Sequence, residues 1–285
     1  MTEISAGKAL TITPQEFDLF RYFIERETGI TLEDSQTYLV ESRLGPLLAE
    51  EGCRSFGELY RRVSTRPSGP LRGKIISAIT THETLWFRDK GPLEMVRRMY
   101  LPQIVEEARR GRLIFRIWSA ACSTGQEPYT LAMIISDFCS IQGDGVLTPE
   151  NFEIIGTDIS AETIETAKAG VYDKFCMSRG LPEDFARRYF KPEGKYWVID
   201  PKLKKRITFL QFNLLADFST LGKFDLILCC NVCIYFSNEG KRVLFQKMKE
   251  ALGPGGIFLL GAAENLSYVY NGFKIREFEN VTFYQ

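Results

Sequence analysis

The stretch "RIWSAACSTGQEPYTLAM", residues 116–133, gathers residue types able to hold a ligand. A β-rich run, Leu113 to Trp118, ends in Ser119, Ala120 and Ala121, and Gly125 follows before an apolar, helix-like run. Small residues directly after a strand leave room for something to approach the backbone. The pattern is not the GxGxxG of dinucleotide sites, and Glu127 stands where a phosphate-binding helix start would reject an anion. A ligand with a cationic end suits it better, such as the sulfonium and amino group of S-adenosylmethionine. A tight turn filled with small residues for its own sake is the alternative.

Three more stretches fall beyond the carboxyl ends of strands, where open α/β sheets bind ligands. In "IIGTDIS", Asp158 closes a strand and can accept two hydrogen bonds from ribose hydroxyls; the alternative is an N-cap for the helix after Ser160. In "LQFNLLA", Asn213 ends a strand, where an amide can read adenine or merely form a turn. In "DLILCCNVCIYF", a buried strand runs into Asn231 and then Tyr235 and Phe236. Cys229, Cys230 and Cys233 lack the second Cys pair or added histidines of a zinc site, so they read as buried thiols and no metal is expected. A fifth stretch, "ITTHETLWFRD" (79–89), brings His82, Thr84 and Arg88 into an apolar segment. Their spacing does not share one helical face, so a loop over a ligand would gather them better than a helix. An interdomain linker with incidental polarity is the alternative.

Helices are expected through the first eighty residues. Thr13-Pro14-Gln15-Glu16 is a capping box with Pro at the first helical position, Phe17, Phe20 and Ile24 share one face, and Gly29 is a stop. Further helices are expected over about 35–50, after Ser55, and over 71–79, with a break at "RPSGP". From residue 91 the texture changes to alternating helix and strand patterns, which argue for a doubly wound parallel sheet. The tail, 273–278 and 281–284, reads as an antiparallel hairpin. An α/β fold with a parallel sheet and a terminal antiparallel hairpin is the layout of class I methyltransferases. The expected organisation is a helical domain over 1–90, including its linker, and a cofactor-binding domain over 91–285. Residues 170–207 interrupt the alternation as a small β-containing insertion, ending in short strands through "KYWVIDPKLKKRITF".

The 285 residues suit about two domains. Lys plus Arg equals Asp plus Glu at 36 each, which weighs against a general nucleic-acid binder. The missing Asn/Asp/Ser-Pro-Pro-Tyr/Phe after the "DLILCC" strand weighs against an enzyme that methylates nucleic-acid amines. "MTEISAGKALTI" has no basic-then-apolar signal region, and no apolar run approaches the ~20 residues of a membrane span. An odd count of seven Cys is consistent with free thiols in a reducing cytoplasm.

Together these stretches resemble the CheR family of chemotaxis receptor methyltransferases over nearly the whole chain. The resemblance rests on "TTHETLWFR", "WSAACSTGQEPYTLAM", "GTDIS", "NLL", "CNVCIYF" and "LGPGGIFLLGAAENLS". It implies S-adenosylmethionine-dependent methyl esterification of glutamates on chemoreceptor cytoplasmic helices, releasing S-adenosylhomocysteine, by a monomer. It also implies a cofactor site of His82, Thr84, Arg88, Glu127, Asp158, Asn213, Leu214, Cys230 and Asn231, with Tyr235 orienting the acceptor.

The chain departs from the family pattern at His82 (often Asn), Gln126 (often Glu) and Cys230 (Arg). "KPEGKYWV" is shorter than the glycine-containing loop of members that tether to a receptor tail, which speaks against tail-peptide docking. A same-fold methyltransferase for RNA or a small molecule, or a non-catalytic cofactor sensor, are the alternatives. Residues 52–90 hold eight Lys or Arg against three acids, a local basic excess suited to acidic receptor helices.

Overall fold

The computed structural model describes residues 11–66, 69–142, 145–266 and 268–285. The start of the N-terminal stretch, residues 67 and 68 of the "RPSGP" break, and residue 267 lie outside them. The chain divides into two compact units, Met1–Thr81 and His82–Gln285. Among the described residues no helix is long and apolar enough to cross a membrane.

The first unit is helical: α1 (Pro14–Thr28), α2 (Thr37–Glu50), α3 (Phe56–Thr65) and α4 (Pro70–Ile79). The capping box forms as the sequence suggests. The Thr13 hydroxyl accepts from Glu16 N–H at 3.3 Å, and Glu16 Oε2 accepts from Thr13 N–H at 2.9 Å. Glu16 Oε1 also accepts from Gly57 N–H at 2.6 Å, so one carboxylate starts α1 and pins the first turn of α3 to it. Phe17, Phe20 and Ile24 point inward against Leu44, Phe56, Leu59 and Ile75. The basic excess is smaller than a sequence window suggests. Arg72 pairs with Glu27, Lys74 with Glu50, and Arg62 with Glu51 and Glu58, three of these acids lying outside the window. Arg54, Arg61 and Arg66 are exposed.

In the second unit seven strands form one sheet. They are β1 (Phe115–Ala120), β2 (Phe152–Asp158), β6 (Ile207–Gln211), β7 (Phe224–Cys229), β8 (Leu252–Leu260), β9 (Ile275–Phe278) and β10 (Val281–Tyr284). Their order is β6-β2-β1-β7-β8-β10-β9, parallel up to β8, with β10 antiparallel to β8 and to β9. This is the class I methyltransferase layout. Alternating residues build a core on each face. Ile117, Ile154, Leu226 and Leu259 meet Leu131 and Ile134 of helix Gln126–Gln142, while Trp118, Ile227 and Phe258 meet Leu244, Phe245 and Met248 of helix Asn238–Ala251.

The insertion forms a second sheet of β3 (Val171–Asp173), β4 (Phe190–Glu193) and β5 (Tyr196–Ile199), in order β3-β5-β4, with helix Glu183–Tyr189 before β4. One expectation needs correction. "ITF" does not close the insertion: Ile207 and Phe209 open the edge strand of the large sheet, paired in parallel with β2. The polar "KLKKR" before it hid a strand whose inward side chains are only Ile207 and Phe209.

Burial acts to raise the Glu16 pKa, but donors from Thr13 and Gly57 outweigh it, and the net shift is downward. A depressed carboxylate contributes stability above the ordinary carboxylate range and loses it as pH falls through its own pKa. Glu16→Ala should therefore cost about 1–2 kcal/mol at neutral pH and less in acid. Hydrogen exchange over 14–28 and 56–65 checks this, with unchanged protection counting against the double anchor.

Candidate cofactor site at the carboxyl ends of the strands

After β1 the chain turns through three left-handed residues, Ala121 (φ 56°), Ser123 (φ 50°) and Gly125 (φ 93°). Two of them carry a Cβ, and such backbone persists only where the surroundings over-determine it. Cys122 N–H donates to Thr157 O at 2.8 Å, and Ser123 N–H donates to Asp158 Oδ2 at 2.9 Å. The Ser123 hydroxyl donates to His82 O at 2.8 Å, and the Tyr172 hydroxyl to Thr124 O at 2.8 Å. At Gly125 a side chain would be strained and also crowded, since a Cβ would lie 2.9 Å from the Cβ of Ala167. The small residues thus serve close packing.

Asp158 is buried, and its Oδ1 accepts from Ser160 N–H at 2.9 Å. It is not the N-cap of helix Ala161–Ala169; Ser160 takes that role. Asp158 ties the β1 turn to the end of β2, and each of its oxygens keeps a second lone pair. Phe212 N–H donates to Asp158 O at 2.8 Å, which draws the end of β6 alongside. There Asn213 Oδ1 accepts from Leu215 N–H at 2.9 Å, so its carbonyl makes a turn, and Leu214 is buried against the core.

Glu127 lies in the first turn of its helix. Burial pushes its carboxyl up to about 7, although the Ser119 hydroxyl (2.6 Å) and the Cys230 thiol donate to it. Asp89 raises it further and Arg88 lowers it, so both charges lie close by. Burial also raises the Cys230 thiol well above its ordinary value, and Cys230 stays a thiol.

After β7, Asn231 (φ 61°) donates from Nδ2 to Asp89 Oδ2 at 2.8 Å. Glu264, after β8, collects N–H groups from Asn231 (2.6 Å), Gly261 (3.0 Å), Val232 (3.1 Å) and Ile234 (3.3 Å). Sequence reasoning passed over both acids. Their signal was an acid just outside a motif, "FRD" and "AAEN", without the local spacing that marks a cap. Cys229 and Cys233 bring their thiols to 3.8 Å within the core.

Residues 82–89 form irregular chain, as their spacing suggested. Arg88 Nη1 donates to Glu83 O at 2.9 Å, and Thr84 is half-buried. His82, Arg88, Glu127, Asp158, Cys230 and Asn231 thus gather through direct bonds or near charges. Asn213 and Leu214 sit one strand end away. Tyr235, on the turn Cys233–Tyr235, is 37% exposed. A carboxyl raised by burial, with hydroxyl and thiol donors, fits a ligand that brings a cation.

Residues 82–282 match the family model described as CheR methyltransferase, SAM binding domain. Residues 15–80 match CheR methyltransferase, all-alpha domain. The chain is 41% identical over 253 residues to chemotaxis protein methyltransferase Cher2 of Pseudomonas putida, covering 88% of this chain and 90% of that one. It is 44% identical over 253 residues to chemotaxis protein methyltransferase 1 of Pseudomonas aeruginosa, with the same coverage of 88% and 90%. Among solved structures, a glycopeptide N-methyltransferase MtfA complexed with S-adenosylmethionine is alike at 15% identity and TM-score 0.33, covering 64% of each chain. That likeness is too slight to add to the strand order.

Glu264→Gln would turn an amide N–H₂ toward one pair of the four main-chain donors. Leaving them unpaired should cost roughly 2–4 kcal/mol. Denaturant unfolding together with amide exchange at Asn231, Val232 and Ile234 measures it; wild-type values in both would show that the carboxylate does not hold the turn.

Proposed function

The chain belongs to the CheR methyltransferase family, and on that premise we propose that it esterifies glutamate side chains on chemoreceptor cytoplasmic helices. S-adenosylmethionine is its cofactor. The observation that carries the cofactor side of the reading is Glu127, a buried carboxyl held by the Ser119 hydroxyl beside the small-residue turn; the substrate side rests on the family. When bound, the cofactor supplies an electrophilic methyl on a sulfonium. Glu127 accepts from its amino end, and the free lone pairs of Asp158 accept from ribose hydroxyls. Asn213, Leu214, Cys230 and Asn231 line the adenosine side, and His82, Thr84 and Arg88 cover the site.

The acceptor glutamate needs no general base, because a carboxyl with pKa ≈ 4.3 is already ionised at neutral pH. The residues' work is alignment and exclusion of water. Tyr235 orients the incoming carboxylate. The helical unit meets the receptor through Arg54, Arg61 and Arg66, where complementary charge favours encounter. Pro192 on edge strand β4 has no N–H to offer an added strand, which supports recognition without a tail-peptide tether.

Incubation with radiolabelled cofactor and receptor fragments should give base-labile methyl esters at glutamate. Arg61→Glu with Arg66→Glu should raise the KM for the fragment severalfold, most at low salt, and leave cofactor affinity intact. Label on RNA or a small molecule, or binding without transfer, would overturn the substrate assignment.

Cofactor affinity should also depend on pH. The folded chain holds a proton on Glu127 that the unfolded chain has lost, so bearing that charge costs stability as pH rises from the ordinary carboxylate range to about 7. A bound cation relieves this cost. Affinity should rise about tenfold from pH 6 to pH 8, with proton release seen by calorimetry in two buffers. Glu127→Gln should bind weakly with a flat profile; a flat wild-type profile would remove Glu127 from the cation site.

A further inference from the structure

Residues 82–89 carry no regular hydrogen bonding of their own, so their shape is set by what they touch. One end is held where the Ser123 hydroxyl reaches His82 O, and the other where Asn231 reaches Asp89. The middle rests on the insertion. Trp86 N–H donates to Arg179 O at 3.0 Å. The Trp86 ring is fully buried, edge-on to Tyr172 at 4.9 Å and to Phe190 at 5.3 Å, and Phe87 meets Phe185 at 4.9 Å. Gly180 closes the seat. Its φ is 86°, and a Cβ there would lie 2.1 Å from Trp86 O. Beside it the Arg179 guanidinium pairs with the Glu83 carboxylate, and Glu83 O in turn receives Arg88. The seat is itself fixed to the sheet, since Arg188 of helix Glu183–Tyr189 pairs with the buried Asp137 of helix Gln126–Gln142.

We propose that Arg179 and Gly180 are positioning residues for the cofactor: they hold the segment bearing Thr84 and Arg88 without touching the ligand. The inference rests on the reading that this segment covers S-adenosylmethionine. The two contributions differ in size. The Arg179–Glu83 pair is exposed to solvent and contributes little alone. The contact at Gly180 is steric and against main chain, which cannot swing aside as a side chain can. Displacing Trp86 O displaces the whole arm between its two end anchors.

The test is cofactor KM and kcat for the full chain with a receptor fragment. Gly180→Ala should raise the cofactor KM at least tenfold, with kcat at saturating cofactor within about threefold of wild type and fragment KM unmoved. Arg179→Gln should raise the cofactor KM about threefold, Arg179→Lys should restore most of it, and Glu83→Gln should add nothing to Arg179→Gln. Should Gly180→Ala not fold, the Arg179 and Glu83 series decides alone. Wild-type cofactor KM in these variants, while Asp158→Ala weakens binding, would overturn the proposal and leave the reading standing. Loss of kcat and melting temperature that Arg179→Lys does not rescue would overturn it in favour of a purely structural role. Unchanged affinity in Asp158→Ala and Glu127→Gln as well would sink the reading itself.

Discussion

The loops at the carboxyl ends of the large sheet depend on one interaction: a carboxylate taken out of water and matched by N–H donors. Asp158 joins the turn after β1 to the end of β2. Glu264 joins the ends of β7 and β8. Asp89 joins the arm 82–89 to Asn231. Charge-assisted bonds of this kind are about twice as strong as neutral ones, and leaving such a group unmatched is costly. The strained residues Ser123 and Asn231 are affordable because these acids collect their N–H groups.

Glu127 is the exception among these acids. Its donors are a hydroxyl and a thiol rather than main-chain amides, and burial wins. With a thiol at 230, that position brings no positive charge to Glu127. A carboxyl in this condition gains most from a ligand that brings a cation, which is the demand a sulfonium with an amino group meets.

Much of the fold was legible because its signals are local. The Thr13–Glu16 box, the stop at Gly29, the small residues after β1 and the terminal hairpin each declare themselves within a few residues. What escaped has partners far along the chain. Asp89 bonds Asn231, and Trp86 finds its seat at Arg179 and Gly180, and no local spacing records either. Strand β6 was masked because its inward residues, Ile207 and Phe209, follow a cationic run. Asp158 closes β2 and Asn213 lies just past the end of β6, yet each already serves the backbone in a way that type and spacing did not reveal. The basic window around α3 was overcounted, since Glu27, Glu50 and Glu51 reach into it from elsewhere.

The seating of Trp86 also sets an order of events during synthesis. The arm 82–89 leaves the ribosome well before Tyr172, Arg179, Gly180 and Phe190 exist to receive it, so its indole stays exposed while the first strands of the sheet are made. Only when the insertion closes can that ring be buried, and only then can the arm take its final course. The arm is therefore translated before the residues that seat it, and a nascent chain halted before the insertion would present an apolar side chain to chaperones.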